Sequence, residues 1–391
     1  MPEEEQALAA LQQVVEDHGH ILDLCIAVQQ IPAPTGEEET RARWVEERFR
    51  ALGLADVSRD AVHNVYARVP GQQAAPALVV SAHTDTVFPR ETDLTVRKDP
   101  ETGRVAGPGI GDNSMGVAGL LYLAEILPQL PQPPVDVWLV ANSNEEGLGD
   151  LKGMRAAMDQ LGDKVGAAIV LEGMGLGRIV HRGLGVRRYR VHASAPGGHS
   201  WGDFGAASAI HALAALATDI IRMDVPGEPR TTFNIGVFHG GTSVNTIAQE
   251  AYFDLDLRSA GAEALAKLDD QVQQRIRRHQ RNHDRHQTQV RFRVEVIGDR
   301  PSGELPAEHP LVLAAGQILT QLGVIEEPDL RVSSTDANIP LSRNIPAVCI
   351  GLVDGGDAHR LSEWIDPQRL AKGVQQLLLL TWWAAAWLTD R

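Results

Sequence analysis

Short apolar runs alternate with amphipathic segments through the first part of the chain. Runs rich in aliphatic residues at 76–82, 135–142 and 167–173 predict strands buried on both faces, because such strands lack polar alternation. Apolar residues at helical spacing lie between them, at 114–127 and 151–161. Strands that alternate with helices predict an α/β fold, with a mostly parallel sheet and helices on both faces.

Two helices are predicted before the first of these strands, within residues 20–52, with the sequence IPAPTGEEE between them. Thr35 and Glu38 in this break have the spacing of a capping box. In that motif both side chains bind backbone N–H groups at the start of a helix. We therefore expect these two residues to cap the second helix.

The pattern changes near residue 182. Strands with alternating apolar and polar residues are predicted at 185–193, 245–259 and 289–298, with helices after the first two at 206–223 and 262–285. After residue 300 the first style returns, with a helix at 308–322, a strand at 346–352 and a C-terminal helix. The sequence thus predicts a discontinuous main domain, 1–182 and 300–391, and an inserted α+β domain with an antiparallel sheet, 183–299.

Composition narrows the class of protein. A length of 391 residues suggests two domains, and 43% apolar with 22% charged residues is typical of a globular chain. A net charge of −15 argues against a nucleic-acid partner, since phosphates repel an acidic surface. The acidic N-terminus lacks signal-peptide features, and the apolar run 377–388 is too short to span a membrane. With Cys25 and Cys349 expected to be reduced, we expect a cytoplasmic protein without a membrane partner.

Side chains that can bind metals follow the apolar strands of the main domain. Strand ends and one glycine-rich turn carry, in chain order, His83, Asp85, Asp112, Glu145, Glu146, Glu172 and His359. The carboxyl ends of strands in an α/β sheet border one crevice, so these side chains are expected to lie together. Two imidazoles with several carboxylates form the mixed donor set that suits zinc. Single acidic loop residues are usually solvated, but their shared place at strand ends indicates a metal site.

Five motifs follow one another along nearly the whole chain: H-x-D, G-x-G-x-x-D, paired glutamates, a single acidic residue and a late histidine. In these motifs the sequence resembles the dinuclear zinc exopeptidases and deacylases. That family includes peptidase T, glutamate carboxypeptidase, acetylornithine deacetylase, succinyl-diaminopimelate desuccinylase and aminoacylase-1. The resemblance implies two divalent metal ions per chain, zinc before manganese or cobalt, and an inserted domain that acts as a lid and forms a homodimer.

The resemblance also implies which residues bind the metals. Asp112 is expected to bridge the two ions. His83 and Glu172 would complete one site, and Glu146 and His359 the other.

Three further residues receive catalytic roles from the same resemblance. Asp85 would orient His83, and Glu145 would be the general base that acts on the attacking water. His199, in the sequence GGHSW, matches a lid histidine that in dimeric members reaches the partner's site and stabilises the oxyanion. A surface histidine after two glycines is the alternative for His199.

Four residues are expected to contact substrate. Asn245 and Arg258 match family residues that hold the substrate's free carboxylate, a task suited to a guanidinium. A surface ion pair is the alternative for Arg258. Thr335 and Asp336, in SSTDANIP, match another family segment and are expected to line the site.

The sequence departs from the family in one motif, since DNSMG follows the glycine-rich turn where many members have DDKG or DMKG. This leaves the substrate preference open. The sequence GGHSWGDFG is closer to peptidase T-like proteins than to the biosynthetic deacylases. A dinucleotide site at LEGMGLG is rejected because its glycine spacing is wrong and a strand follows it. The basic stretch 275–286 is interpreted as the solvated face of a helix.

We therefore expect a metal-dependent hydrolase that cleaves an amide bond near a free carboxylate, with small peptides as substrates. An N-acyl-amino-acid deacylase would have the same ligand set and is the first alternative. A non-catalytic relative that binds peptides is the second, and the intact Glu145 argues against it.

Overall fold

The computed structural model describes residues 2–390. The chain forms two compact units, Met1–Gly183 with Glu304–Arg391 and Leu184–Gly303. The boundaries therefore lie at 183 rather than 182 and at 303 rather than 299. Each unit has a hydrophobic cluster of its own.

Most helices match a segment of predicted apolar periodicity, whereas the helices Pro2–Glu16 and Asn338–Ser342 were not predicted from the sequence. In chain order they are α1 (Pro2–Glu16), α2 (His18–Gln29), α3 (Glu39–Ala51), α4 (Gly116–Ile126), α5 (Lys152–Leu161), α6 (Ala209–Ile220), α7 (Ala262–Arg285), α8 (Pro310–Gln321), α9 (Asn338–Ser342) and α10 (Leu370–Trp387). In the first unit, α4 and α10 pack against the strands at the centre of the large sheet.

Strands account for most of the remaining regular structure. They are β1 (Ala55–Arg59), β2 (Val65–Val69), β3 (Gln73–His83), β4 (Arg97–Lys98), β5 (Val105–Ala106), β6 (Val135–Asn142), β7 (Val165–Met174), β8 (Arg178–Gly183), β9 (Gly185–Ser194), β10 (Gly198–His199), β11 (Thr231–Gly240), β12 (Thr246–Ile247), β13 (Glu250–Ser259), β14 (Arg291–Arg300), β15 (Gly303–Glu304), β16 (Asp329–Ser333), β17 (Ala347–Gly356) and β18 (Trp364–Asp366).

A twelve-stranded sheet forms the first unit, with its main path in the order β1-β2-β6-β3-β7-β17-β18-β5-β4. The predicted α/β class is confirmed, and the sheet is mixed. Parallel pairing joins β6, β3, β7 and β17 at the centre, whereas the flanking pairs on the main path are antiparallel. The central strands consist mainly of buried aliphatic residues, as expected for strands covered on both faces.

The second unit contains a four-stranded antiparallel sheet in the order β11-β13-β9-β14. Apolar residues of β9 and β13 pack against α6 and α7 and form the cluster of this unit. The predicted stripe on α7 is buried at Leu265, Leu268, Val272 and Ile276. Strand β11 was not predicted from the sequence, because most of its residues are exposed at the edge of the sheet.

The predicted capping box is wrong. Helix α3 begins at Glu39, and no side chain caps its first turn. The Thr35 hydroxyl donates instead to Asp85 Oδ2, over 2.9 Å. Glu38 Oε1 accepts the backbone N–H of Gly36 at 2.8 Å and that of Asn144 at 3.1 Å. Both residues therefore bind other loops of the first unit rather than the helix start.

Candidate metal centre

The predicted ligands converge at one edge of the large sheet. Strands β6, β3, β7 and β17 are parallel neighbours, so their carboxyl ends lie side by side. These ends, together with the turn Ile110–Met115 before α4, carry His83, Asp112, Glu145, Glu146, Glu172 and His359. Residues that are far apart in the sequence are thus brought together by the order of the strands.

One group of candidate ligands surrounds His83. Its Nε2 atom lies 3.2 Å from Asp112 Oδ1 and 3.6 Å from Glu172 Oε2. Ligand atoms of these three residues all lie within 4.8 Å of one another. The group therefore offers one nitrogen and two carboxylate oxygens to an ion.

A second group surrounds His359. Its Nε2 atom lies 3.1 Å from Asp112 Oδ2 and 2.9 Å from Glu146 Oε1. Asp112 thus presents one oxygen to each histidine. An aspartate shared in this way suits a pair of neighbouring ions rather than a single one.

These residues fit a pair of divalent metals. The Oδ1 atom of Asp112 is shielded from solvent and accepts no hydrogen bond from any described residue, although His83 lies beside it. A buried acceptor of this kind normally has a partner. Nitrogen and carboxylate donors at such spacing suit Zn²⁺, Mn²⁺ or Co²⁺. Among the side chains that the structure describes, every group close enough to hold an ion belongs to this site.

Asp85 links His83 to the paired glutamates. Its Oδ1 atom lies 3.4 Å from His83 Nδ1, the nitrogen on the far side of the ring from Asp112. The same carboxylate accepts the backbone N–H groups of Glu145 and Glu146, each at 2.9 Å. A ligand atom of Glu145 also lies within 4.8 Å of His83 and Glu146, which puts this predicted base beside the metal ligands.

The electrostatics of the site follow from five carboxylates and two imidazoles packed together. Burial would lower the pKa of His83, but Asp112, Asp85 and Glu172 raise it well above its usual value. Asp112 and Glu146 raise the pKa of the exposed His359 to about 10. Burial raises the pKa of Glu172. The cluster therefore favours positive charge between its carboxylates, which a divalent ion supplies.

Glu363 supports the site and was not found from the sequence. Its Oε1 atom accepts the backbone N–H groups of Gly111 and Asp112, at 2.7 and 2.8 Å. The side chain is fully buried, and burial raises the pKa of its carboxyl group to about 7. An isolated glutamate 251 residues away from Asp112 carries no pattern that sequence analysis could detect.

Thr335 and Asp336, predicted to contact substrate, lie in the interior of the first unit. Asp336 is fully buried, and its Oδ2 atom accepts a hydrogen bond from Asn142 Nδ2 at 2.6 Å. Burial raises the pKa of its carboxyl group to about 7. The Thr335 hydroxyl accepts the N–H of Ala337 at 3.2 Å. Both side chains therefore form hydrogen bonds within the interior of the first unit.

The remaining predicted residues lie in the second unit. His199 pairs with Thr246 through β10 and β12, and Ser200 N donates to Asn245 O at 3.0 Å, so His199 and Asn245 are close. His199 Nδ1 accepts the N–H groups of Trp201 and Gly202, both at 3.2 Å. A neutral ring that accepts at Nδ1 carries its proton on Nε2.

Arg258 lies apart from that pair. It is next to the last residue of β13, a ten-residue strand whose other end adjoins the β10–β12 pair. At about 3.4 Å per residue, the strand is on the order of 30 Å long. Arg258 Nε donates to Asp256 Oδ2 at 2.6 Å, so the predicted alternative of a surface ion pair is present.

Comparison with known proteins now identifies the class. A sequence model described as Peptidase family M20/M25/M40 matches residues 79–382. Because that match covers most of the chain, the protein belongs to this family, whose members are metal-dependent. It is accordingly a hydrolase that acts on peptide or other amide bonds.

Individual relatives are distant. A succinyl-diaminopimelate desuccinylase of Verminephrobacter eiseniae is 26% identical over 351 residues, covering 82% of this chain and 83% of that protein. A probable carboxypeptidase of Aspergillus terreus is 28% identical over 255 residues, and the match spans only 58% of its length. A tripeptidase from Staphylococcus aureus has the same fold, with a TM-score of 0.78 at 21% identity over 94% of this chain and 99% of that one.

A further observation concerns whether a helix of the structure could cross a membrane. Within residues 2–390, no helix combines the length and the apolar character that crossing a bilayer requires.

Proposed function

We propose that this protein is a two-metal hydrolase that cleaves small peptides with a free carboxylate. The observation that carries the proposal is the division of the Asp112 carboxylate between His83 and His359, with Glu145 close by. His83, Asp112 and Glu172 would hold one ion, and Asp112, Glu146 and His359 the other. Zn²⁺ is the first candidate, before Mn²⁺ or Co²⁺.

The roles of the chain's residues follow from their positions. Bound ions would polarise the scissile carbonyl and lower the pKa of a water molecule. Glu145 takes the proton of the attacking water, which its neighbour Glu146 cannot do while it binds a metal. Asp85 holds the His83 ring from behind and fixes the backbone of both glutamates at once.

His199 is proposed to stabilise the oxyanion. The hydrogen bonds to its Nδ1 favour a proton on Nε2, which can donate to a developing negative charge. Arg258 lies at the far end of β13 and is proposed to hold the substrate carboxylate together with Asn245 of a second copy. One substrate cannot span a strand on the order of 30 Å long, so we propose that His199 and Asn245 serve the site of a second copy.

Features of the second unit support a homodimer that would use this unit as a lid and dimerisation domain. Strand β11 is an outer strand of its sheet, and Val237 and Phe238 are exposed on it. Trp201 and Phe204, beside His199, are 88% and 91% exposed. Unpaired strand edges and exposed apolar side chains are common features of surfaces that bind another chain. A cytoplasmic location is proposed on the basis of two buried, free cysteines.

A deacylase is the second candidate, because the desuccinylase match extends over 82% of this chain. Hydrolysis of di- and tripeptides is therefore compared with that of N-acetyl and N-succinyl amino acids, with Zn²⁺ or Mn²⁺ added. We expect cleavage of the peptides. Cleavage confined to acylated amino acids would replace the peptidase assignment, and no cleavage of either set would favour a non-catalytic relative.

Two variants test the assigned roles. Glu145→Gln should lower turnover on the order of 10²–10⁴-fold, the usual contribution of a general base, with metal content unchanged. His199→Ala should lower kcat much more than it raises KM. If His199 acts on a partner's site, mixing the two inactive variants should restore activity through mixed dimers. A mixture that stays inactive would place His199 at the site of its own chain, and an unchanged rate in His199→Ala alone would place it outside catalysis.

A further inference from the structure

The backbone around the predicted base is held by side chains from other parts of the first unit. The turn 143–146 follows β6 and contains both Glu145 and Glu146. Each of its four consecutive N–H groups donates to a side-chain oxygen. Ser143 N donates to Asn64 Oδ1 at 3.0 Å, and Asn144 N donates to Glu38 Oε1 at 3.1 Å. Glu145 N and Glu146 N donate to Asp85 Oδ1 and Oδ2 respectively, both at 2.9 Å. Side chains, rather than a helix or sheet, thus fix this backbone.

The turn needs such support because of its conformation. Asn144 has a φ of 55°, in the left-handed region that residues other than glycine rarely adopt. Such a conformation persists only when surrounding contacts favour it. The bond from Asn144 N to Glu38 acts on this residue directly.

Glu38 is buried at a cost that its local role does not explain. It is the middle residue of three consecutive glutamates, and Glu37 and Glu39 on either side are exposed and paired with arginines. Glu38 has no exposed surface, and its Oε2 atom accepts no hydrogen bond from any residue in the described chain. Burying a carboxylate is unfavourable. Its place in the fold therefore reflects the two amides that Oε1 accepts.

Thr35 holds the same turn from a second side. Its hydroxyl donates to Asp85 Oδ2, the oxygen that also accepts from Glu146 N. Its methyl group lies against Gly149, where an added Cβ would come within 2.6 Å of Thr35 Cγ2. Thr35 and Glu38 thus contact the turn both through Asp85 and directly.

We propose that Glu38, with Thr35, is a positioning residue that fixes Glu145 and Glu146 relative to the metal centre. This inference rests on the proposed function where it concerns Glu145 as the general base. The effect of Glu38 on Glu146 requires only that Glu146 binds a metal. Thr35 and Glu38, which have the spacing of a capping box in the sequence, therefore act on the turn 143–146.

Replacement of Glu38 tests the proposal. In Glu38→Ala, Asn144 N loses its acceptor, so we expect metal affinity to fall about 10- to 100-fold, the usual range for residues behind a ligand. The affinity is measured by chelator competition on the metal-free full-length protein with Zn²⁺. With a cleaved substrate, kcat should fall while KM stays near the wild-type value. Glu38→Gln keeps an acceptor at this position and should restore most of both quantities.

The neighbouring glutamates are matched controls. Glu37→Ala and Glu39→Ala remove the same charge from the same segment and should leave metal affinity and kcat unchanged. If Glu38→Ala fails to fold, Thr35→Val, which keeps the shape but removes the hydroxyl, should still lower kcat and metal affinity. Wild-type metal affinity in a folded Glu38→Ala protein would overturn the proposal. If Glu38→Ala does not fold, wild-type metal affinity in Thr35→Val would overturn it. A fall in affinity without any hydrolysis of the substrate panel would reject the proposed function and leave the positioning role intact.

Discussion

The two histidines of the candidate metal centre share one aspartate but differ in their surroundings. His83 ends a central strand, its side chain is 2% exposed, and Asp85 lies behind its ring. His359 lies in a loop after β17, has a φ of 64° and is 52% exposed. One ligand is therefore part of the folded core, whereas the other lies at the surface. We infer that the His83 side binds its metal in a rigid site and that the His359 side releases its metal more readily.

The largest expected effect comes from the residue that both sides share. Asp112→Asn replaces one carboxylate oxygen with an NH₂ group, which cannot bind a metal. One or both groups of ligands are then incomplete, and turnover should fall at least as far as in Glu145→Gln. Metal content separates the two variants, since only the Asp112 variant should lose bound metal. Full metal content in Asp112→Asn would show that Asp112 is not a shared ligand.

The two histidines should differ in their effect on folding. In the metal-free protein, His83→Asn removes the partner of buried carboxylates and should lower the free energy of unfolding by about 3 kcal/mol. His359→Asn acts at an exposed position, where an ion pair contributes about 1 kcal/mol or less. Urea unfolding of both metal-free variants measures the difference. Equal losses would contradict the distinction between a core ligand and a surface ligand.

The His83 side of the site can also be disturbed by a substitution outside the candidate ligands. In Gly149→Ala the new methyl group would lie 2.6 Å from Thr35 Cγ2 and 2.7 Å from Asn144 O. Overpacking of this kind costs about 1–3 kcal/mol, and we expect both unfolding free energy and kcat to fall.

Gly19→Ala is the matched control, because nothing lies within 4 Å of its added Cβ in α2. Helix propensity predicts a gain of up to about 1 kcal/mol there, with kcat unchanged. A Gly149→Ala protein that matches this control in stability and kcat would show that the contact with Thr35 is unimportant.

Regular elements were predicted where periodicity reflects burial. Helix α7 spans Ala262–Arg285, as its apolar stripe predicts, and β6 spans the apolar run Val135–Asn142. Strand β11 was missed because an exposed edge strand has no burial pattern to detect. Strands β4 and β5, at one antiparallel edge of the large sheet, were missed because they contain only two residues each.

The candidate metal ligands could be selected from the sequence because each lies near the end of a predicted strand or in a glycine-rich turn. The residues behind them could not. Thr35 and Glu38 match a local capping motif, yet their partners Asp85 and Asn144 lie 50 and 106 residues further along the chain. Asn64 and Glu363 carry no motif, and only the folded chain brings them to the site. Tertiary contacts override a local pattern when the polar groups they satisfy are buried.

A pair of metal ions held on one shared aspartate, Asp112, underlies the proposed function. Calorimetric titration of the metal-free protein with Zn²⁺, checked by metal analysis after dialysis, measures how many ions bind. We expect two ions per chain with different affinities, and the loss of the weaker one in His359→Asn. Binding of a single ion to the wild-type protein, or two ions retained in His359→Asn with unchanged affinities, would contradict it.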